Sequence, residues 1–185
     1  MDLVGRLVTL KAIQEEDLRF LMDLFNDPRT GEAIGGWSLP ISYRHQQEWY
    51  AGIGKDDSVL RFAVWENAAG QLLGSCSLSG VDRRNRTAEV HCRLTQENTA
   101  KGLGTDAVFQ LLVLAFDYLD LACVAATYLP ENRASNRLVT KLGFCREAAL
   151  RSRIYKEGRR HDVEVWSILA EEFAKARIRY ETGEL

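Results

Sequence analysis

The run TAKGLGTDAVFQLLVLAFDYL, Thr99 to Leu119, decides how the rest of the chain is read. It sets Gly102 and Gly104 one residue apart, directly before a long apolar stretch. Glycine disfavours a helix by about 1 kcal/mol against alanine, so a pair at a helix start needs a reason. A helix begins with unpaired N–H groups and the positive end of its dipole, and glycines there let an anion reach those groups. KGLGTDA is therefore a candidate phosphate cradle, with Lys101 adding a cation. A plain loop before a helix uses the same residues, and a lone G-x-G does not separate the two.

Composition limits what the cradle serves. The chain has 185 residues, 46% hydrophobic and 27% charged, enough for a sizeable core in one domain spanning residues 1–185. Lys and Arg number 24 against 26 Asp and Glu, a formal net charge of -2, so no global basic field marks a nucleic-acid partner. The opening MDLVGRLVTLKAIQEED lacks a basic head with an apolar signal core, and no stretch offers the roughly twenty apolar residues of a membrane span. The expectation is a cytoplasmic protein with no membrane partner. Cys76, Cys92, Cys123 and Cys145 lie far apart with no C-x-x-C pair or histidine pattern, which predicts buried reduced thiols and no metal.

Val4 to Ala12 alternates as a strand, and Leu18, Leu21, Met22 and Phe25 recur at helical spacing over Glu15 to Phe25. Ser42 is an N-cap candidate for a helix over Tyr43 to Ala51, and the glycine-rich TGEAIGGWSLPI between the two helices reads as a loop. Strands Val59 to Glu66, Gln71 to Asp82 and Thr87 to Thr95 are joined by short connectors and predict an antiparallel meander. A helix over Leu103 to Leu119, a strand over Cys123 to Tyr128, a helix over Ala134 to Leu142, two more strands and a helix over Ala170 to Tyr180 follow. The pattern is mixed α/β, with a meander first and α-β-α units second.

Two phosphate motifs fit poorly. Gly102 to Ala107 matches G-x-G-x-x-A, but a dinucleotide fingerprint sits tight behind the first strand of a βαβ repeat, and here Gln96 to Lys101 intervenes after a meander. A Walker loop fails because Gly54 and Lys55 are followed by Asp56.

The string ENRASNRLVTKLGF, Glu131 to Phe144, in order behind the glycine loop, resembles the GNAT superfamily of acetyl-CoA-dependent N-acetyltransferases. That family's loop R/Q-x-x-G-x-G/A is met by Thr99, Gly102 and Gly104, and its N-x-x-S with a K-x-G-F ending by Asn132, Ser135, Lys141, Gly143 and Phe144. The resemblance runs from GRLVTLKAIQEEDL to GRRHDVEVWSIL, and its details look most like the RimJ/RimL-like branch. It implies a mostly antiparallel mixed sheet of about seven strands flanked by helices, with acetyl-CoA as cosubstrate. The diphosphate would sit on the N–H groups around Lys101, Gly102, Leu103, Gly104 and Thr105, where side chains at the glycines would block its approach. The pantetheine arm would pair with the strand end at Arg93, Leu94 and Thr95, and Asn132, Ser135 and Lys141 would contact the cofactor from the next helix. Thr99 stands where arginine or glutamine is usual, and Val139 where many relatives carry a proton-donating tyrosine.

Amine acetylation needs a group to take the amine's proton and one to protonate the thiolate. Period two along TAEVHCRLT sets Glu89, His91 and Arg93 on one face; the resemblance, in which an acid often stands at this place in the strand, implies Glu89 as the base, with His91 second. Ser135 and Tyr155 are the hydroxyls available as acid. Glu32 and Trp37 in the glycine-rich loop, together with Glu89, are candidates for the acceptor amine, while Tyr43, Trp49 and Tyr50 suit a core as well as a site. The leading expectation is a monomeric or homodimeric N-acetyltransferase acting on a protein or peptide α-amine. A small-amine acetyltransferase, a weakly catalytic acyl-CoA-binding module and, distantly, a dinucleotide enzyme stay open.

Overall fold

A computed structural model describes residues 2–32, 39–98 and 101–184, apart from the side chains of Gly31 and Glu32. The chain begins with β1 (Leu3–Val4) and β2 (Val8–Lys11), followed by a short 3-10 turn at Glu15–Asp17. Helices α1 (Leu18–Asn26), α2 (Pro28–Glu32) and α3 (Tyr43–Ala51) come next. The meander is β3 (Leu60–Glu66), β4 (Leu72–Asp82) and β5 (Thr87–Leu94). The second half holds α4 (Leu103–Val113), β6 (Cys123–Tyr128), α5 (Arg133–Leu142), β7 (Cys145–Lys156), β8 (Arg159–Leu169) and α6 (Ala170–Glu181). One eight-stranded sheet has the order β1-β2-β3-β4-β5-β6-β8-β7, and every neighbouring pair is antiparallel except β5 and β6.

The extra strand relative to the expected seven comes from a corner at the start of the chain. Val4 to Ala12 is not one strand, because residues 5–7 turn and β1 folds back antiparallel on β2. The corner is held by Asp106 in the first turn of α4. Its buried carboxylate accepts the N–H groups of Arg6 at 3.3 Å, Leu7 at 2.7 Å and Val8 at 2.9 Å. A side chain at Gly5 has no room there, since its Cβ would lie 2.4 Å from Asp106 Oδ2.

Alternation along the central strands divides two apolar layers. Val64, Cys76, Leu78, Ala88 and Val90 pack with α4, α5 and α6, whereas Ala63 packs with Leu18 and Leu21 of α1, against which Tyr43, Trp49 and Tyr50 of α3 lie. Ser42 caps α3 by accepting the N–H of His45 at 3.3 Å. The apolar run after Val113 continues as a π-helical turn over Leu114–Tyr118.

One cysteine departs from expectation. Cys145 is exposed on β7, where its thiol donates to Glu172 Oε1 at 3.5 Å. That carboxylate pushes the thiol up from its ordinary range. Cys76 is buried and Cys92 partly so; burial lifts the Cys92 thiol to about 12, leaving it a poor nucleophile.

Candidate functional site

The single parallel pair makes the site. Strands β5 and β6 are in register only at Thr87 with Cys123, Ala88 with Val124 and Glu89 with Ala125. Beyond that, β5 runs on to Leu94 and β6 to Tyr128 without pairing to each other. The edge of Val90 to Leu94 facing β6 therefore presents backbone groups with no strand partner, the kind of edge to which an extended chain can add.

Two cavities meet in this fork, and both are lined by Cys92, Arg93, Asn132, Ser135 and Leu138. The smaller, of about 300 Å³, is bounded by Leu94, Gly102, Gly104, Thr105 and Lys141, so the glycine loop and the start of α5 face one space. Arg137, one turn before Lys141, lines it too and adds a cation that the motif reading passed over. Its i, i+4 spacing to Lys141 was the available signal.

The two glycines have different reasons. Gly102 is the residue before α4 and has φ +82°, a left-handed conformation that only glycine adopts without strain. Gly104 lies inside the first turn of α4, and a Cβ there would meet Leu138 at 3.5 Å and Leu94 at 3.7 Å, ordinary contact. The fold does not require glycine at 104. Space for a ligand beside the helix N-terminus supplies the reason, and the loop fits a diphosphate on that ground. Leu103 is buried in the core and lines neither cavity. Lys101 Nζ donates to Asn98 Oδ1 at 3.2 Å, and Asn98 donates to Thr95 Oγ1 at 2.8 Å, a chain that braces the loop. Thr99 lies outside the described residues.

The larger cavity, of about 540 Å³, passes through the fork toward α1 and α3 and is bounded by His45, Gln46 and Trp49 as well as by β3 to β6. In register across three strands stand Arg61, Ser77 and His91, and in the adjacent row Ala63, Ser75 and Arg93. His91 faces the cavity, with Nε2 2.7 Å from Ser79 Oγ. Glu89 points to the same face but does not line the cavity; Thr127, which does, donates its hydroxyl to it. Asn132 Oδ1 accepts the N–H of Ser135 at 3.0 Å, so it caps α5 while lining both cavities. Val139 is buried and presents only methyl groups at its place in the lining.

Other expected residues fall elsewhere. Tyr155 is 66% exposed near the end of the β7–β8 hairpin, with Arg160 stacked on its ring, and lines neither cavity; the twelve-residue strand β7 carries it away from the fork. Glu32 ends α2, but its side chain is outside the description, and Trp37 lies among residues that are not described. Sequence reasoning missed Arg61, Thr127 and Tyr128. Tyr128 sits at the open end of β6, where burial raises its phenol above the ordinary range and Asn136 donates to its oxygen at 3.2 Å. Only the strand register brings these residues to the cavity.

Comparison with known proteins agrees with this arrangement. YdaF of Bacillus subtilis, provisionally named a ribosomal N-acetyltransferase, is 28% identical, with 92% of this chain and 95% of that protein covered. The spermidine N(1)-acetyltransferase of Vibrio cholerae is 27% identical over 90% of this chain and 95% of that protein. A crystal structure of the spermidine N-acetyltransferase from Vibrio cholerae in complex with CoA and spermine superimposes with a TM-score of 0.84 at 26% identity, covering 90% of this chain and 98% of that one. The family model of the acetyltransferase (GNAT) domain matches residues 7–145. With its forked sheet and glycine cradle, the chain belongs to the GNAT acetyltransferases, an acyltransferase family that uses acetyl-CoA to acetylate amines.

Proposed function

We propose that the acceptor is the α-amine of a peptide or protein rather than a polyamine. The observation that carries this is the charge of the larger cavity. Among the described residues its lining contains Arg61, Arg93, His45 and His91 and no Asp or Glu. A polycation would meet two guanidiniums and no carboxylate, which opposes binding by several kcal/mol in a partly desolvated space. Two carboxylates on the neighbouring helices are engaged by arginines: the Arg29 guanidinium pairs with Asp27 at 2.8 Å and holds its carboxyl below the usual range, and Glu48 pairs with Arg44 at 3.0 Å. A polyamine acceptor is the second reading, favoured by the likeness to the Vibrio cholerae spermidine enzyme.

For the cosubstrate, the loop at Gly102 to Thr105 with Arg137 and Lys141 would hold the diphosphate, and the unpaired edge of β5 at Arg93 and Leu94 the extended arm. Acetyl-CoA supplies an acetyl group already activated as a thioester. The chain's own residues then manage protons. His91 takes the proton of the incoming ammonium, because it faces the cavity and its ring nitrogen is held by Ser79. Glu89 stands one step back, joined to the cavity through Thr127. Ser135, whose side chain lines both cavities where they meet, is placed to protonate the departing sulfur. The ammonium loses two protons in all: His91 takes the first and passes it to solvent, and the second, released as the new N–C bond forms and the C–S bond breaks, restores the one that Ser135 gives to sulfur, so one proton is released net.

The test is thiol release with acetyl-CoA over a panel of free peptides, α-blocked peptides with free lysine, spermidine and an aminoglycoside. Acetylation confined to free α-amines supports the proposal. Preference for spermidine turns the assignment to the second reading.

A further inference from the structure

Among the described residues Arg93 is an arginine without a counter-ion. Its guanidinium makes no ion pair and no hydrogen bond among them; it lies 4.6 Å over the ring of Phe25, on the α1 side of the sheet. Arg93 lines both cavities, but Phe25, on which its guanidinium rests, lines only the larger, which sets the charge toward the acceptor side of the fork. Burial there disfavours its charged form. Arg61 lines the same cavity, with its guanidinium 5.7 Å over Trp49; it makes no close ion pair among the described residues, although its charge reaches Asp56, which does not line the cavity.

Holding two guanidiniums in a partly desolvated space with no Asp or Glu among the described lining residues costs free energy unless an anion offsets it. A planar fork of donors backed by an aromatic ring is also the arrangement in which arginine recognises carboxylate or phosphate. The cosubstrate's diphosphate has its own cations at Arg137 and Lys141.

We infer that the acceptor carries an anionic group beside its amine, a carboxylate or a phosphate, which Arg93 and Arg61 receive while the amine lies at His91. This rests on the acetyl-transfer reading above and narrows its acceptor class. The register sets the spacing. Arg93 is two residues from His91 on the same face of β5, a separation of about 7 Å along a strand. Arg61 stands across β4 from His91 through Ser77. An α-amine followed by an acidic side chain, or a short amino acid or amino phosphate, matches that reach.

Matched acceptors test it. With saturating acetyl-CoA, thiol release is measured for the tripeptide amides Ala-Glu-Ala and Ala-Gln-Ala, for phosphoethanolamine against ethanolamine, and for spermidine. The first two pairs separate a carboxylate from a phosphate as the preferred anion. The expected result is a kcat/KM at least about tenfold higher for the anionic member of one pair. Arg93→Gln should collapse that ratio toward one, and Arg61→Gln should reduce it. Calorimetry with CoA accompanies both variants and reports their integrity. Equal rates within both pairs, or preference for spermidine, overturn the anion subsite while acetyl transfer stands. An Arg93→Gln protein with weakened CoA binding and an unchanged ratio overturns it too, by moving Arg93 to the cosubstrate. Thiol release with none of the amines overturns both readings.

Discussion

The carboxylate of Asp106 accepts the hydroxyl of Tyr180 at 2.5 Å, across 74 positions of sequence. The same carboxylate holds the β1–β2 corner, so the helix that starts at the glycine cradle is tied to both ends of the described chain by one side chain. Tyr180 also stacks on Phe109 of α4 with ring centroids 3.8 Å apart. The first helical turn behind the cradle is therefore anchored on two sides.

Replacing that carboxylate is expected to be costly. Asp106→Asn keeps the shape but turns an NH2 group toward backbone donors, leaving buried N–H groups unsatisfied. A loss of about 3 kcal/mol or more follows, and thermal unfolding should show it as a Tm lower by several degrees. An unchanged Tm would mean the corner is held by β-pairing alone.

Gly5→Ala tests the same corner from the other side. Its Cβ would fall 2.4 Å from Asp106 Oδ2, so either the carboxylate or the turn must move. About 1–3 kcal/mol of destabilisation is expected, read from urea unfolding midpoints at constant m. The double variant Gly5→Ala with Asp106→Asn should lose less than the sum, since both act on one contact.

Tyr180 gives an alkaline limit. Burial, then the hydrogen bond to Asp106, pushes its phenol to about 12, above the ordinary value near 10. A folded-state pKa raised in this way contributes stability that is complete below about pH 10 and is lost as the pH rises through about 12. Tyr180→Phe should flatten the fall in Tm over that window while lowering Tm at neutral pH. A fall equally steep in the variant would place the alkaline transition elsewhere.

Gly104→Val separates cradle from fold. The first atom of a side chain there meets only ordinary contacts, so the protein should keep its circular dichroism and cooperative melt. Calorimetry should show CoA affinity reduced at least about a hundredfold, because the added methyls stand where a diphosphate must approach. Wild-type affinity would dismiss the loop as the binding site.

His91→Ala against Glu89→Gln ranks the proton acceptors. With His91 lining the cavity and Glu89 behind Thr127, the histidine variant should lose about 10² to 10⁴ in kcat and the glutamine variant less. His91→Ala should regain rate as pH rises and the free amine replaces the ammonium. The reverse order of losses restores Glu89 as the base.

Sequence alone determined the local architecture and the cosubstrate. Period two along Thr87 to Leu94 sorts His91 and Arg93 from Val90 and Cys92, and the structure keeps that division. The capping residues Ser42 and Asn132 are legible because a cap is a local hydrogen bond over three residues. The ordered motifs at Gly102 to Gly104 and Asn132 to Phe144 point to the family for a similar reason: each is a local pattern of near neighbours in the chain. Tertiary structure decided what depends on partners distant in sequence. The break at residues 5–7 exists because Asp106, about a hundred positions away, claims three N–H groups. Tyr155 is separated from the fork by the length of its strand, and Arg61 joins His91 only through the register of β3 on β4 and β4 on β5. A strand's pattern states which face a residue takes; which residue stands beside it is set by pairing, and pairing is a property of the assembled sheet.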